Sequence, residues 1–74
     1  MDEYKALLKE NKISEDEIAK ILSSLEKCSK VGIAEKDMER IIKNIISDPK
    51  YREAFIKDLR SAVRKLGIDP QPSP

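Results

Sequence analysis

The side chains that most often carry enzyme chemistry are scarce in this sequence. It has no His, the usual general base near neutral pH, and its single Cys is Cys28. Cys28 follows Leu22 and Leu25 at helical spacing, which predicts a thiol buried in a core rather than an exposed nucleophile. The adjacent carboxylates of Asp16 and Glu17 fall on a helix-capping turn. We therefore expect no catalytic residue.

Patterns that bind metal ions or cofactors are missing as well. A zinc site needs several Cys or His ligands, and a calcium loop needs spaced Asp or Asn residues around a Gly. The sequence contains neither arrangement, and it contains no Gly-rich phosphate loop. We expect no metal site, no cofactor, no small-molecule substrate and no enzymatic activity.

Basic side chains recur at near-helical spacing in two stretches of the chain. They are Lys36, Arg40 and Lys43 in the first stretch and Arg60 and Arg64 in the second. Such cations contact nucleic-acid phosphates, and helix pairs with Gly-containing turns occur in helix-turn-helix proteins. Acidic residues interrupt both stretches, however, and the formal net charge is only +1. A small helix-turn-helix-like nucleic-acid-binding regulator that uses these cations is therefore our alternative function.

Aromatic, Met and Arg side chains indicate a protein-binding surface. Tyr51 and Phe55 form an i, i+4 aromatic pair, and residues of these types are frequent at protein contacts. For Tyr4, Tyr51 and Met38 the sequence leaves open whether the side chain lies in the core or at the surface. The predicted contact residues, in which the two arginines receive partner carboxylates, are Met38, Tyr51, Arg52, Phe55 and Arg60.

These contacts make a non-catalytic interaction module our first function for the chain. It would dock on a protein partner or form a homodimer through its third and fourth helices.

Hydrophobic periodicity predicts the elements that carry these residues, namely an all-α fold with a small bundle of four short helices. The second helix has the clearest start, because Ser14 and Glu17 form a capping box and Ile13 and Ile18 form a hydrophobic staple. We expect Asn11 to end the first helix in a left-handed conformation. The predicted helices span about residues 2–10, 15–31, 34–47 and 49–66.

Glycine and proline residues support these helix boundaries. Gly32 and Gly67 are each followed by Ile, the sequence expected at a helix end of the Schellman type. Pro49 belongs in the first turn of the fourth helix, with Ser47 or Asp48 as its cap.

Length and composition predict one small domain in a reducing compartment. The 74 residues suffice for one domain over residues 1–68, followed by an extended, flexible, Pro-rich tail over residues 69–74. A lone Cys, no signal peptide and no membrane-length apolar run predict a cytoplasmic protein. Abundant Lys and Glu with few amides is typical of heat-adapted proteins, and an AT-rich genome gives a similar bias.

Charge is distributed unevenly along the chain. Residues 1–26 carry four Lys and seven Asp or Glu, a balance of −3. Residues 27–66 carry eleven Lys or Arg and six Asp or Glu, a balance of +5. The molecule is therefore predicted to be a weak dipole, acidic early in the chain and basic later.

The segment "DPKYREAFIKDLRSAVRKLGID" carries a family likeness. Its key positions are Asp48–Pro49, Tyr51–Arg52, Asp58, Ala62 and Leu66–Gly67. This pattern resembles the helical segment of nitrile-hydratase-type leader peptides, and it is similar to the helical fold of the small subunit of certain extradiol dioxygenases. The resemblance implies a non-catalytic helical segment that a partner enzyme recognises.

Two departures from that family pattern leave two interpretations open. Leu59 stands where the family has a second Pro, and "IDPQPSP" after Gly67 holds one Ser but no Cys or Thr to modify. Either a modifiable core peptide lies outside this sequence, or the chain is a free-standing module.

Overall fold

Five α-helices account for most of the backbone in the computed structural model, which describes residues 2–68. No β-strand occurs among those residues, so the predicted all-α class is confirmed. The predicted tail over residues 69–74 lies outside the described residues. The helices are α1 (Asp2–Glu10), α2 (Glu15–Lys30), α3 (Glu35–Ser47), α4 (Pro49–Lys57) and α5 (Leu59–Lys65).

The predicted count of four helices is wrong, because the last predicted helix is interrupted at Asp58. The Asp58 backbone has φ −143° and ψ 88°, outside the helical region. Its N–H donates to the Ala54 carbonyl at 2.7 Å, and its Oδ1 accepts from the Ser61 N–H at 3.2 Å. Asp58 therefore ends α4 and caps α5. Asp suits this role because it is a poor helix-interior residue and a strong N-cap.

Asp48 forms an equivalent joint between α3 and α4. Its φ and ψ are −130° and 103°, its N–H donates to the Asn44 carbonyl at 2.9 Å, and its Oδ1 accepts from the Lys50 N–H at 3.0 Å. Pro49 occupies the first turn of α4 as predicted. A single Asp thus connects each successive pair among α3, α4 and α5.

Three helices end in the same hydrogen-bonded turn. In each, the N–H of an Ile donates to the carbonyl five residues earlier, at 3.2–3.3 Å. These isoleucines are Ile13, Ile33 and Ile68. The residue before each Ile has a positive φ, as a Schellman motif requires. The predicted helix ends at Gly32 and Gly67 are therefore confirmed.

The first of these turns differs from its prediction. Lys12, not Asn11, adopts the left-handed conformation, with φ 60°. Asn11 instead donates its side-chain N–H at 2.8 Å to the Leu7 carbonyl, which also accepts from the Asn11 backbone N–H at 3.3 Å. Lys12 is strained because its Cβ crowds the adjacent carbonyl in this region.

The start of α2 agrees with the predicted cap. Ser14 Oγ accepts from the Glu17 N–H at 3.3 Å and donates to Glu17 Oε1 at 3.2 Å. Ile13 and Ile18, the predicted hydrophobic staple, are both buried. The chain therefore enters α2 in the direction that brings its apolar face onto the core.

Fifteen side chains form one buried cluster, which receives residues from all five helices. α4 packs against α2, α3 and α5, so this short helix lies at the centre of the bundle. Cys28 is fully buried, in agreement with the prediction of a core thiol. The cluster contains Leu8, Ile13, Ile18, Ile21, Leu25, Cys28, Met38, Ile41, Ile42, Ile45, Tyr51, Phe55, Ala62, Val63 and Ile68.

A buried hydrogen bond fixes α5 against α4. Tyr51 Oη donates to the Ala62 carbonyl at 2.9 Å across the Asp58 joint. Burial raises the pKa of Tyr51 to about 12, with a smaller contribution from Cys28 and an opposing one from Arg40. Burial likewise raises the pKa of the Cys28 thiol to about 11.

We expect Lys12→Gly to stabilise the fold by about 0.5–1 kcal/mol, because Gly adopts positive φ without strain. The matched change, Gly67→Ala, should destabilise it by about 1 kcal/mol. A Cβ at Gly67 would meet no atom within 4 Å, so that loss would come from φ (+73°) alone. Urea unfolding followed by circular dichroism measures both. If Lys12→Gly and the wild type had equal stability, the Lys12 backbone would not be strained at its positive φ.

We also expect the free energy of unfolding to fall as pH rises from about 9 to about 12. The unfolded chain releases the Cys28 and Tyr51 protons near the ordinary pKa values of 9.0 and 10.0, whereas the folded chain retains them to about 11 and about 12. Alkali therefore favours the unfolded state, and the stabilisation is fully present below pH 9.

Tyr51→Phe isolates the contribution of the tyrosine. At pH 7 this variant should be less stable than wild type by about 1–2 kcal/mol, because the buried Ala62 carbonyl loses its donor. Above pH 10 the difference should shrink, since only the wild type carries the titrating hydroxyl. Urea unfolding at each pH measures it, and a difference that stays constant to pH 12 would refute this account.

Candidate interaction surface

Three of the predicted protein-contact residues lie in the core rather than at the surface. Met38, Tyr51 and Phe55 are 5%, 7% and 0% exposed. The Tyr51 and Phe55 rings stack with their centroids 6.3 Å apart, inside the bundle that surrounds α4. The hypothesis that they contact a partner directly is therefore corrected, because all three side chains belong to the buried cluster.

Arg52, a fourth predicted contact residue, is engaged within the chain. Its Nε–H donates to the Ile45 carbonyl at 3.1 Å, and its Nη1 lies 3.7 Å from Glu17 Oε2. The helical donor for that carbonyl would be the N–H of residue 49, which Pro49 lacks. Arg52 replaces it, and its side chain is only 17% exposed. Arg52 is therefore a structural residue.

Arg60 is the one predicted protein-contact residue that the structure exposes, and it also belongs to the predicted nucleic-acid set. Every member of that second set is exposed. Those residues are Lys36, Arg40, Lys43, Arg60 and Arg64.

Arg40 connects the two helices on which that set lies. Its Nη1 donates to Asp37 Oδ1 at 3.3 Å, and its Nη2 donates to the Leu66 carbonyl at 2.7 Å. The first contact is an ion pair with a neighbour on α3, which reduces the charge that Arg40 offers to a ligand. The second holds the end of α5 against α3.

The most basic element of the fold is α5. Ala62 and Val63 anchor it in the core, which leaves Arg60, Arg64 and Lys65 exposed on its outer side. We call these three residues the α5 cationic face.

An open groove of about 530 Å³ runs along the α5 cationic face, and Asp58 and Ser61 complete its lining. Within residues 2–68, neither Arg60 nor Arg64 lies within ion-pair distance of a carboxylate. Among the described residues, the two guanidinium groups therefore have no carboxylate partner.

Sequence reasoning missed Lys65 and the groove. The signal was present, because residues 59–65 hold three cations and no acid. Because residues 49–66 were predicted to form one helix, the charge of this short run was considered together with that of the acidic residues before it. The local excess of cations was therefore not recognised.

A second surface, formed by α1 and α3, has the opposite charge. Tyr4 is half-buried at its centre, and Leu7, one turn later on α1, is 38% exposed. Burial raises the pKa of the Tyr4 hydroxyl, and three nearby carboxylates raise it further. They belong to Glu35, Glu39 and Glu3. We call these five residues the α1–α3 acidic face.

The described part of the chain offers little for other kinds of site. No group of three or more Cys, Asp or Glu side chains in residues 2–68 is arranged to hold a metal ion. None of the five helices has both the length and the apolar character needed to cross a membrane. Every buried side chain of this region is hydrophobic, apart from the polar ends of Tyr51 and Cys28.

Comparison with protein-family models, with curated proteins and with solved structures finds no match to this chain. The resemblance to leader peptides and to the dioxygenase small subunit therefore stays a prediction.

The roles of the two arginines can be separated by stability measurements. Arg52→Ala should lower the free energy of unfolding by about 1–2 kcal/mol, because the Ile45 carbonyl loses its donor. Arg60→Ala should change it by less than about 0.5 kcal/mol, because that side chain only faces solvent. Urea unfolding of both variants provides the comparison. Similar losses in both would contradict the assignment of Arg52 to structure and Arg60 to the free surface.

Proposed function

We propose that this protein is a small non-catalytic interaction module that docks an acidic segment of a protein partner on the α5 cationic face. One observation carries the proposal: the groove along α5 is lined by three cations and a single carboxylate, that of Asp58, and the two arginines have no internal ion pair among residues 2–68.

The spacing of the arginines suits a polypeptide ligand. Arg60 and Arg64 are one helical turn apart, so their Cβ atoms are about 5–6 Å apart. Carboxylates one turn apart on a partner helix have the same separation. Each guanidinium can bind a carboxylate through two parallel N–H···O bonds, which adds directional specificity. Asp58 and Ser61 provide hydrogen-bond acceptors for amide or amine donors on the same partner.

Charge, rather than apolar area, would dominate such binding. Among the described residues the exposed large hydrophobic side chains are Leu7 and Val31, and neither belongs to α5. A homodimer built on an apolar seam of α3 and α4 therefore has little surface to use. Exposed charges mainly accelerate association and set specificity, so the expected affinity is modest and sensitive to salt.

Nucleic-acid binding is the second candidate, favoured by the exposure of all five of its predicted cations. Two features weaken it. Acidic residues alternate with the cations of α3, and Asp37 already pairs with Arg40. The net charge of +1 also provides little long-range attraction for a polyanion.

Fluorescence anisotropy separates the two functions, using a Glu-rich helical peptide and a DNA duplex as probes at about 50 mM and about 200 mM salt. We expect the peptide to bind more tightly than the duplex. The double variant Arg60→Glu/Arg64→Glu should weaken peptide binding by at least about 10-fold, because it reverses the charges that receive the carboxylates.

A matched control is Lys5→Glu/Lys9→Glu, which makes the same charge change at the same i, i+4 spacing on α1. It should leave peptide affinity within about 2-fold of wild type. Peptide binding that is indifferent to the α5 reversal would contradict the proposal. Tighter DNA binding, with a log–log salt slope of about −4.5 from five phosphate contacts, would establish the second candidate instead.

A further inference from the structure

The two charged faces of this protein match each other in spacing as well as in sign. Glu35 and Glu39 lie one turn apart on α3, and Arg60 and Arg64 lie one turn apart on α5. Both pairs are exposed. Two carboxylates and two guanidinium groups at the same pitch can form two parallel ion pairs between facing helices.

The two faces cannot satisfy each other within one molecule, because they flank opposite sides of α3. Glu35 and Glu39 lie on the side of α3 near Tyr4 of α1. Arg40 lies on the side near α5, where it donates to the Leu66 carbonyl. The body of α3, whose inner face is buried in the core, separates the two faces.

We propose that a second copy of this chain is a partner of the module, and that it docks its α5 cationic face on the α1–α3 acidic face of the first copy. This inference rests on the proposed function and names the acidic segment that α5 binds. Charge complementarity identifies a second copy as the partner, because the α5 cationic face is positively charged and the α1–α3 acidic face is negatively charged.

The acidic face has the composition of a small interface. Leu7 and Tyr4 provide apolar area on its α1 side, and three carboxylates lie near the Tyr4 hydroxyl. A net charge of +1 adds almost no repulsion between copies. A contact between two different faces leaves one free face of each sign on the bound pair, and these free faces can add further copies.

Sedimentation velocity of the whole chain tests this directly. At about 1 mM protein and about 20 mM NaCl the wild type should sediment as a concentration-dependent series of oligomers, and about 500 mM NaCl should return it to the monomer. Two double variants each remove one face: Arg60→Glu/Arg64→Glu and Glu35→Lys/Glu39→Lys. Each alone should sediment as a monomer under the low-salt conditions, with an unchanged circular dichroism spectrum.

The decisive sample is the equimolar mixture of the two double variants. Each retains the face that the other lacks, so the mixture should regain the association that both lose separately. Lys5→Glu/Lys9→Glu, which reaches the same net charge as the α5 variant, should associate within about 3-fold of wild type. A wild type that stays monomeric at low salt, or a mixture that stays monomeric while the wild type associates, would overturn the inference.

Failure here is distinguishable from failure of the proposed function. If the Glu-rich peptide binds through Arg60 and Arg64 while the wild type remains monomeric, a second copy is not the partner. The proposed function, docking of an acidic segment on α5, is then still supported. If the peptide also fails to bind, both proposals fall together.

Discussion

The bend at Asp58 is the constraint on which the rest of this structure depends. A continuous helix over residues 49–66 would be about 27 Å long, and it would carry one end of its apolar stripe away from a core this small. Turning the chain at one residue lets Phe55 of α4 and Val63 of α5 enter the same cluster. The Tyr51–Ala62 hydrogen bond then fixes the turn from inside. Because this arrangement uses nearly all of the apolar side chains, the outer surface is left to charges.

The local rules that could be read from the sequence concern single hydrogen bonds. Ser14 caps α2, and Gly32 and Gly67 end their helices, because each role needs a side-chain oxygen or a positive φ that few residues supply. Asp58 was missed because the apolar period continues across it, so a one-residue break leaves the pattern almost unchanged. The left-handed conformation of Lys12 was not predicted, because Lys has no preference for positive φ. The sequence held one indirect sign of it: Lys12 is followed by Ile, as Gly32 and Gly67 are.

The candidate site was less predictable from the sequence than the fold was. The reason lies in the residue types of the predicted protein-contact set and the predicted nucleic-acid set. Tyr, Phe and Met are frequent at interfaces and in cores alike, and in this chain the core contains Met38, Tyr51 and Phe55. Charged residues are seldom fully buried, so the basic set was correctly expected at the surface. The positions of the leader-peptide likeness have structural roles here: Asp48 and Asp58 are helix joints, and Tyr51 and Ala62 share a buried hydrogen bond.

The single-residue joints also have a kinetic consequence. Since one Asp separates α3 from α4 and another separates α4 from α5, neighbouring helices meet without the closure of a long loop. Folds dominated by such local contacts reach the native state within about microseconds to milliseconds. The Ile-rich side of α3, which would be prone to aggregation if it stayed in water, is covered soon after synthesis.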